Sequence, residues 1–403
     1  MAEFCDLPED VVSCILVLLP VTTLLRCKSV CKSLCSVIGS SNFIDKHLKF
    51  PPTSKNNCDL IVMIPVKSLD TYFPEFSLLS GEKFEVSTSM EIPGFLDNER
   101  NACWTHMVAS CNGVICLRHG ASRHVSLWNP ATRQFRILPE LQTRLVRKHK
   151  KLNTFLGFGF DIKSNDYKVV KLMFMEYAFT GQTNQVEVYS LSTDSWRIID
   201  VVLPVSFIVS NPRTPYRDEI YCWLGKVESQ ENGSLVVSYL ILSFNFNNEV
   251  FETMALPTTL MSNDGLMELA ILRENLACIN RVGCNTEGWH FEIWMMNEFG
   301  IKESWTKLHT VGPFPKSGQI GFSKKGEFLL LLNYKRLCLY DLFTQEEKNL
   351  GVGAGPFSRV LKELKVVLYR ESLVSITSRN DANNTGHLNS FDGYRGKKKQ
   401  KLN

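Results

Sequence analysis

The residues of this sequence best suited to chemistry are cysteines near the N-terminus. Cys27, Cys31 and Cys35 recur at every fourth position, a spacing that would place their thiols on one face of a helix. Such thiols could form a zinc or redox site. A structural zinc site needs four ligands in a tetrahedral array, however, and one continuous helix rarely supplies them. Burial as small apolar side chains explains these cysteines better.

Signatures of catalysis are otherwise absent from the sequence. It contains no Walker loop, no GxSxG elbow and no HExxH zinc motif. The segment Gly157-Phe-Gly159 lacks the third glycine and the following helix of a dinucleotide-binding loop. We therefore expect no catalytic residue, no bound metal and no cofactor.

The distribution of charge argues against a nucleic-acid-binding protein. The 403 residues include 45 basic and 41 acidic side chains, of which the segment Thr377–Asn403 holds six basic and two acidic ones. The rest of the chain is therefore neutral, which is unlike a nucleic-acid-binding surface. Its densest basic stretch, Arg144–Lys151, predicts an exposed loop that is either simply solvated or contacts an acidic face of a protein partner.

The cysteine count and the N-terminus indicate a cytoplasmic and/or nuclear protein. The 13 cysteines are an odd number without a framework spacing, and the first residues lack the basic and apolar segments of a secretory signal. The longest apolar run, Val11–Val21, is too short to cross a membrane. Near the C-terminus, the run Lys397–Lys401 could be a nuclear-import signal or part of a solvated tail.

Residues 1–50 are predicted to form a small domain of three helices. The segment Leu7–Asp10 combines a proline with two acids, as helix starts do, and apolar positions with helical spacing follow it. Pro20 ends the first helix and Gly39 closes the third, after which Ser41 caps a short turn. Because three short helices bury little surface alone, the pattern is typical of an interaction module.

Aromatic residues mark a repeat through the rest of the chain. Each one ends a strand-like segment and is followed by a polar turn and a second strand, which predicts a β-hairpin. These leading aromatics are Phe76, Trp128, Tyr189, Phe244, Trp294 and Tyr340. Repeats of about 50 residues predict a β-propeller of six blades, with the aromatics packed between blades rather than forming a ligand cage. A pair of β-sandwiches with accidental similarity is the alternative fold.

The predicted propeller spans residues 58–376 and has to close on itself. The segments Lys365–Leu368 and Ser372–Ile376 are predicted to be strands that pair with the first blade and close the ring. Residues 377–403 are rich in Asn, Gly, Ser and Lys, which predicts a disordered basic tail.

Several of these motifs resemble those of one plant protein family. Leu7-Pro8-Glu9-Asp10, Leu24-Leu25-Arg26 and Phe43-Ile44 are similar to the F-box, which docks onto the Skp adaptor of SCF ubiquitin ligases. Trp128-Asn-Pro-Ala-Thr-Arg-Gln-Phe-Arg and other repeat segments resemble the F-box-associated domain of plant F-box proteins. Leu34 stands where many F-boxes have tryptophan, so adaptor binding is either weaker here or restored by repacking.

The resemblance implies the substrate-receptor subunit of an SCF-type ubiquitin ligase, which is not an enzyme itself. It implies a Skp adaptor as partner, with cullin and RING subunits bound through that adaptor, and a protein substrate of unknown identity. The implied adaptor-binding residues are Leu7, Pro8, Ile15, Leu16, Leu19, Pro20, Leu24, Leu25 and Val30. The propeller would hold the substrate beside a ubiquitin-charged enzyme, so that the gain is one of effective concentration.

Other functions remain open at this point. The chain could be a scaffold that binds the adaptor without delivering a substrate for degradation. A propeller enzyme would need His, Glu or Cys ligands at equivalent positions of several blades, and none recurs at one register. Within the family, control of immune-receptor abundance and recognition of pistil ribonucleases are both implied. The candidate substrate loops are Val205–Tyr216, Met261–Gly265 and Arg144–Lys151.

Overall fold

The fold is taken from a computed structural model of the chain. It describes residues 8–50, 59–68, 71–81, 84, 86–90, 105–119, 124–140, 151–177, 181–205, 207–210, 219–231, 234–260, 267–284, 288–314, 317–323, 326–333, 336–353 and 365–377. Leu7, the Lys397–Lys401 run and nearly all of the predicted tail lie outside the described residues.

The N-terminal residues form four helices rather than the three predicted. They are α1 (Glu9–Leu16), α2 (Val21–Lys28), α3 (Lys32–Gly39) and α4 (Ser41–Lys49). The segment read as a short turn is the fourth helix, because its cap is Ser40 and not Ser41. The Ser40 side chain accepts a hydrogen bond from the Phe43 backbone N–H at 3.2 Å, so one extended residue suffices to end α3 and begin α4.

The three N-terminal cysteines do not share a helix, which corrects the spacing argument. Cys27 lies in α2, Cys31 is the N-cap of α3, and Cys35 lies within α3. The expectation of burial is also wrong here, because Cys31 and Cys35 are exposed and Cys27 is half-buried. The Cys31 sulfur accepts a hydrogen bond from the Leu34 N–H at 3.5 Å, so this thiol acts as a helix cap.

After the helices, the described strands form six four-stranded antiparallel sheets, each in meander order. The first sheet contains β24 (Lys365–Tyr369), β1 (Asp59–Ser68), β2 (Thr71–Ser80) and β3 (Val86–Met90). The second contains β4 (Thr105–Cys111), β5 (Val114–His119), β6 (Val125–Asn129) and β7 (Gln134–Ile137), and the third β8 (Lys151–Asp161), β9 (Asp166–Tyr177), β10 (Gly181–Ser190) and β11 (Ser195–Ile199). The fourth contains β12 (Phe207–Ser210), β13 (Ile220–Glu231), β14 (Ser234–Asn245) and β15 (Val250–Ala255). The fifth contains β16 (Met267–Leu272), β17 (Asn275–Cys284), β18 (Gly288–Met296) and β19 (Trp305–Phe314), and the sixth β20 (Ser317–Phe322), β21 (Phe328–Asn333), β22 (Arg336–Asp341) and β23 (Glu347–Gly353).

This arrangement is a six-bladed β-propeller, which confirms the predicted fold and rejects the pair of sandwiches. Each leading aromatic lies on the third strand of its blade, and the hairpin that follows it is the one predicted. In the third blade, for example, Tyr189 pairs with Trp196 across the β10–β11 hairpin, and their rings are 5.4 Å apart. The periodic aromatics therefore pack within and between blades.

Ring closure was predicted correctly for one C-terminal strand and wrongly for the other. Residues Lys365–Tyr369 form β24, which pairs with β1 and makes the innermost strand of the first blade. Residues 372–376 are not a strand. The Asn129 side-chain amide holds their backbone against the second blade by donating to the carbonyl oxygens of Ser372 at 3.2 Å and Val374 at 2.7 Å.

Strand direction divides the propeller into two rims. In each meander the turns between the first and second strands, and between the third and fourth strands, lie at the same rim. The start of β1 and the end of β24 also lie there, so the helical residues 8–50 enter from this side, and we name it the helix-side rim. The connections between second and third strands, and those from one blade to the next, lie at the opposite, far rim.

Candidate functional site

The first helix is apolar on two different faces. Val12 and Leu16 point inward and are almost completely buried in a core formed with the other three helices. Val11, Ile15 and, just past the helix end, Leu18 follow at spacings of four and three residues, and each exposes more than 40% of its surface. Three exposed apolar side chains on one helical face are unusual for a self-contained domain and typical of a helix that docks into a partner's groove.

The predicted adaptor-binding residues divide into three groups by burial. Leu16 and Leu24 belong to the core of the helical domain, and Leu19 and Leu25 are half-buried against that core. Pro8, Ile15, Pro20 and Val30 are exposed, and Val30 has 72% of its surface accessible. Leu7 lies outside the described residues.

Sequence reasoning missed Val11 and Leu18 as candidate contacts. The stripe Val12, Ile15, Leu16 and Leu19 is a valid helical period, but the segment Val11–Leu19 is apolar almost all round. An all-round apolar helix satisfies two stripes at once, so periodicity alone could not say which one faces the core. The signal that could have found the second stripe is the excess of apolar residues over what one face requires.

Leu34, the departure from the common F-box pattern, is half-buried against the helical core. Its backbone N–H donates to the Cys31 sulfur, which places it in the first turn of α3. Part of this side chain is therefore used inside the domain, and part remains accessible to a partner.

The helix-side rim carries a buried ionic cluster between the third and fourth blades. Lys168 Nζ lies 2.6 Å from Asp161 Oδ2 and 2.7 Å from Glu249 Oε1, and it also donates to the Phe246 carbonyl at 3.3 Å. Burial opposes ionisation of Asp161, but hydrogen bonds from Lys168 and Ser164 outweigh it and hold the pKa of this carboxyl below its usual range. Every member of the cluster has a partner, so the cluster joins two blades rather than offering a reactive group.

Two buried titratable residues elsewhere, His119 and Cys278, are held in their neutral forms by their surroundings. His119 is fully buried in the second blade, with Nδ1 3.2 Å from Thr105 Oγ1 and Nε2 2.8 Å from Ser126 Oγ. Burial, and then the charge of His124, lower the pKa of His119 to about 4, so its imidazole is neutral near pH 7. Burial raises the pKa of the Cys278 thiol to about 12, which keeps it protonated and unreactive.

No group of three or more His, Cys, Asp or Glu side chains lies close enough to hold a metal ion within the described part of the chain. Among the same residues, no helix is both long and apolar enough to cross a membrane.

On the far rim, the fifth blade carries an arginine stacked on a tryptophan. The guanidinium carbon of Arg281 lies 4.1 Å from the centre of the Trp289 ring, and both side chains are half-buried. Arg281 Nε is buried and has no hydrogen-bond partner in the described part of the chain. A half-buried arginine stacked on an aromatic ring is suited to contact a carboxylate of a partner protein through its positive charge.

The candidate substrate loops are only partly described. Within Val205–Tyr216, residues 207–210 form β12, so this segment is in part an inner strand and not a loop. Met261–Gly265 and the basic residues between 144 and 150 lie outside the described residues. Arg136, which precedes these basic residues in the sequence, forms an ion pair with Asp194 at 2.6 Å.

The structure thus combines a small helical domain that has an exposed apolar face with a six-bladed propeller. The chain matches the family model of the F-box associated beta propeller domain over residues 62–376, and that of the F-box domain over residues 4–46. Since the first match covers most of the chain, this protein belongs to the family of F-box proteins with an F-box-associated β-propeller. The resemblance found in the sequence is thereby confirmed.

Relatives of this chain are named as F-box proteins. F-box protein CPR1 of Arabidopsis thaliana is 27% identical over 375 residues, which cover 87% of this chain and 86% of that protein. An F-box/kelch-repeat protein of the same plant is 27% identical over 320 residues, covering 76% of this chain and 79% of the relative. Among solved structures, a putative 6-phosphogluconolactonase from Bacteroides fragilis has a TM-score of 0.38 at 9% identity, covering 79% of this chain and 99% of its own, which carries no functional information.

Membership of this family sets the class of function. F-box proteins in general are substrate receptors of SCF ubiquitin ligases, and their F-box binds a Skp-type adaptor. They are generally not catalytic.

Proposed function

We propose that this protein is the substrate-receptor subunit of an SCF-type ubiquitin ligase and has no catalytic activity of its own. Residues 1–50 would bind the Skp adaptor, and through it the cullin and RING subunits, while residues 58–376 would bind the target protein. The observation that carries this proposal is the exposed apolar face of Val11, Ile15 and Leu18 on a domain that is otherwise folded around its own core.

Docking of that face would bury side chains that water now contacts. Each fully buried aliphatic side chain contributes about 1.5–3 kcal/mol relative to its exposed form, so a few anchors account for strong binding. Val30, in the turn before α3, and Pro20, before α2, are further exposed candidates for the same contact. Leu16 and Leu24 would then act through the fold of the domain and not by touching the adaptor.

We infer that the target protein binds the far rim of the propeller. The helix-side rim is partly covered, because the helical domain packs there against the second blade. On the far rim, the half-buried Arg281–Trp289 pair offers a cation beside an aromatic ring. A target held there is close to a ubiquitin-charged enzyme only because the adaptor and cullin bring the two together, so the chain contributes effective concentration.

We propose that the protein works in the cytoplasm, the nucleus or both. The run Lys397–Lys401 is the feature that favours nuclear entry. Replacing these lysines with glutamine in a fluorescent fusion should move the protein out of the nucleus, and an unchanged distribution would reject this role.

The test of adaptor binding should use Ile15 rather than the buried leucines. Ile15→Asp places a charge on the exposed apolar face, and we expect at least a 100-fold loss of affinity for purified Skp adaptor, measured by isothermal titration calorimetry. Ile162→Asp is the matched control, because Ile162 is also an exposed isoleucine but lies in the propeller.

The outcomes separate the possibilities. Equal adaptor affinity of the Ile15→Asp and Ile162→Asp proteins would show that the exposed face is not the docking site. If the adaptor binds normally but no protein accumulates in tissue lacking the chain, the receptor role fails and the scaffold function stands.

A further inference from the structure

Residues 370–377, which we name the C-terminal segment, lie between the helical domain and the propeller. They follow β24, the strand that closes the ring, and contribute to both parts of the molecule. Leu373 is 6% exposed and belongs to the core of the helical domain, although it lies more than 300 residues from the other members of that core. The F-box of this protein is thus completed by a side chain from the opposite end of the chain.

Arg370 makes a second contact with the helical domain. Its Nη2 donates to the backbone carbonyl oxygens of His47 at 3.1 Å and Phe50 at 2.6 Å. Both carbonyls belong to the last turn of α4, where no further turn of the helix can satisfy them. A guanidinium at this position satisfies these acceptors and has the favourable charge for a helix C-terminus.

Alternate residues of the C-terminal segment face the propeller. Val374 and Ile376 are buried in the largest propeller core, with side chains from the second, third and fourth blades. The Ile376 N–H donates to Gln134 Oε1 at 3.2 Å. The Asn129 side-chain amide donates to the carbonyl oxygens of Ser372 and Val374. The segment therefore sits in a fixed register, with Leu373 toward the helices and Val374 and Ile376 toward the blades.

A close backbone approach fixes the start of the segment. Gly113 has a φ of +77°, and a Cβ atom at this glycine would lie 2.5 Å from the Arg370 carbonyl oxygen. Any larger residue in this turn of the second blade would displace Arg370 and thereby its contacts with α4. The position of the segment therefore depends on the second blade as well as on β24.

We propose that closure of the propeller ring is a condition for an adaptor-competent F-box. The C-terminal segment reaches the helices only after β24 has paired with β1, because β24 directly precedes it. An F-box of about 40 residues is too small to be stable without help from a neighbour. Leu373 and Arg370 supply that help, so a chain whose ring is open has an F-box that is only partly folded.

This inference rests on the proposed function and adds a regulation to it. A receptor that is unfinished or truncated at its C-terminus would not enter the ligase, because its F-box would not hold the adaptor. An open propeller ring would thereby weaken adaptor binding by the helical domain, and no ligand would be needed for this effect.

Two truncations test the proposal directly. A chain ending at Thr377 loses the basic tail but keeps the C-terminal segment, and we expect its affinity for purified Skp adaptor to be unchanged. A chain ending at Tyr369 keeps β24 but loses the segment, and we expect at least a 10-fold loss of affinity. Hydrogen exchange should then rise in α1–α4 while the amides of β8–β11 stay protected.

Single substitutions keep the test valid if the shorter chain does not fold. Leu373→Asp and Arg370→Ala should each weaken adaptor binding and raise hydrogen exchange in α1–α4, with the larger effect for Leu373→Asp. Ser375→Asp is the matched control, because Ser375 is an exposed residue of the same segment. Its adaptor affinity should remain within twofold of the unchanged protein.

The results distinguish this inference from the proposed function. If Ile15→Asp abolishes adaptor binding while Leu373→Asp and the chain ending at Tyr369 bind normally, the F-box docks the adaptor without needing the C-terminal segment, and the inference is wrong. If the unchanged protein does not bind the adaptor at all, the proposed function fails. Hydrogen exchange of α1–α4 in the Leu373→Asp protein then still decides whether the segment completes the helical domain.

Discussion

The helical domain and the propeller of this protein differ in how many of their side chains find partners within the same domain. The propeller pairs nearly every buried polar group of its described residues within or between blades, as in the cluster of Lys168, Asp161 and Glu249. The helical domain leaves a face of Val11, Ile15 and Leu18 to water and takes Leu373 from elsewhere in the chain. One part is complete in itself, and the other is built to be completed by its neighbours.

Because of this difference, we expect the two parts to respond differently to substitution. Substitutions in the propeller should be felt as stability of the whole ring, since each blade packs on two others. Substitutions in the helical domain should divide into those that unfold four short helices and those that change only binding. Five predictions test this difference between the two domains. They are ordered from the largest expected effect on stability to the smallest.

The largest effect is expected from Lys168→Met in the propeller. Removing the ammonium leaves the buried Asp161 carboxylate without its cation, while the half-buried Glu249 keeps its ion pair with Arg197, and the loss should cost about 3–5 kcal/mol of unfolding free energy. Lys226→Met is the matched control, because Lys226 pairs with Glu228 at a more exposed position and should cost less than about 1 kcal/mol. Urea denaturation followed by tryptophan fluorescence measures both, and equal costs would show that the buried cluster joins no blades.

Leu24→Ala should have a similar cost that is confined to the helical domain. Leu24 is completely buried, and deleting its side chain should cost about 2–5 kcal/mol. Because the domain is small, this loss should open α1–α4 to hydrogen exchange. Leu242→Ala, also completely buried but on β14, is the comparison and should lower the unfolding midpoint of the propeller instead. If both variants raise hydrogen exchange at the same amides, the two domains do not differ in the way proposed.

Gly157→Ala should cost about 1–3 kcal/mol by overpacking the propeller. A Cβ atom at Gly157 would lie 2.7 Å from Trp223 Cζ2 and 2.8 Å from Tyr221 Cδ1, and both rings are fully buried. At Gly39, at the end of α3, a Cβ atom would meet only the tip of Lys28 at 3.8 Å. Gly39→Ala should therefore be neutral or slightly stabilising, and thermal unfolding of the two alanine variants checks the contrast.

The two regions also differ in how far their sequence predicts them. The blades can be predicted from local sequence, because about a dozen consecutive residues determine each hairpin. The residues around Tyr189 and Trp196 are an example. The fourth helix was missed because a single cap, Ser40, separates it from α3. The role of Leu373 was beyond prediction, since it depends on a contact between the two ends of the chain.

The proposed adaptor-binding face was also predicted only in part. The sequence shows that α1 is rich in apolar residues, and the structure leaves Ile15 exposed, while its role in adaptor binding stays a prediction. It does not reveal that Leu16 and Leu24 face inward, because α1 and α2 have apolar residues to spare on several sides. Which face is covered depends on how the four helices pack, and that packing also includes the C-terminal segment.

Asp59→Asn should stabilise the protein and change its pH dependence. Burial, and then the charge of Glu371, raise the pKa of Asp59 to about 6. Its ionised form is therefore disfavoured in the folded chain, and this residue makes the folded protein less stable as pH rises from about 4 through 6. At pH 7 the asparagine variant should gain about 1 kcal/mol after screening by solvent at this half-buried position.

Unfolding midpoints measured between pH 4 and 8 test this expectation. The difference in stability should be smallest near pH 4, where Asp59 is protonated in the folded chain and about half ionised in the unfolded chain, and it should grow toward pH 7. Glu75→Gln provides a control, because Glu75 is an exposed carboxyl of the same blade. A constant difference at every pH would rule out titration of Asp59 as the cause.

The smallest effect on stability is expected where the effect on binding is large. Val30 exposes 72% of its surface in the free chain, so Val30→Ser should change the unfolding free energy by less than about 0.5 kcal/mol. If this side chain is buried by the adaptor, the same substitution should weaken binding about 10-fold, since one aliphatic anchor contributes about 1.5 kcal/mol or more. Calorimetric titration with purified adaptor, run beside thermal unfolding of the free chain, separates the two quantities. A variant that loses stability and affinity in proportion would mean that Val30 supports the fold, and the helical domain would then resemble the propeller in being complete without a partner.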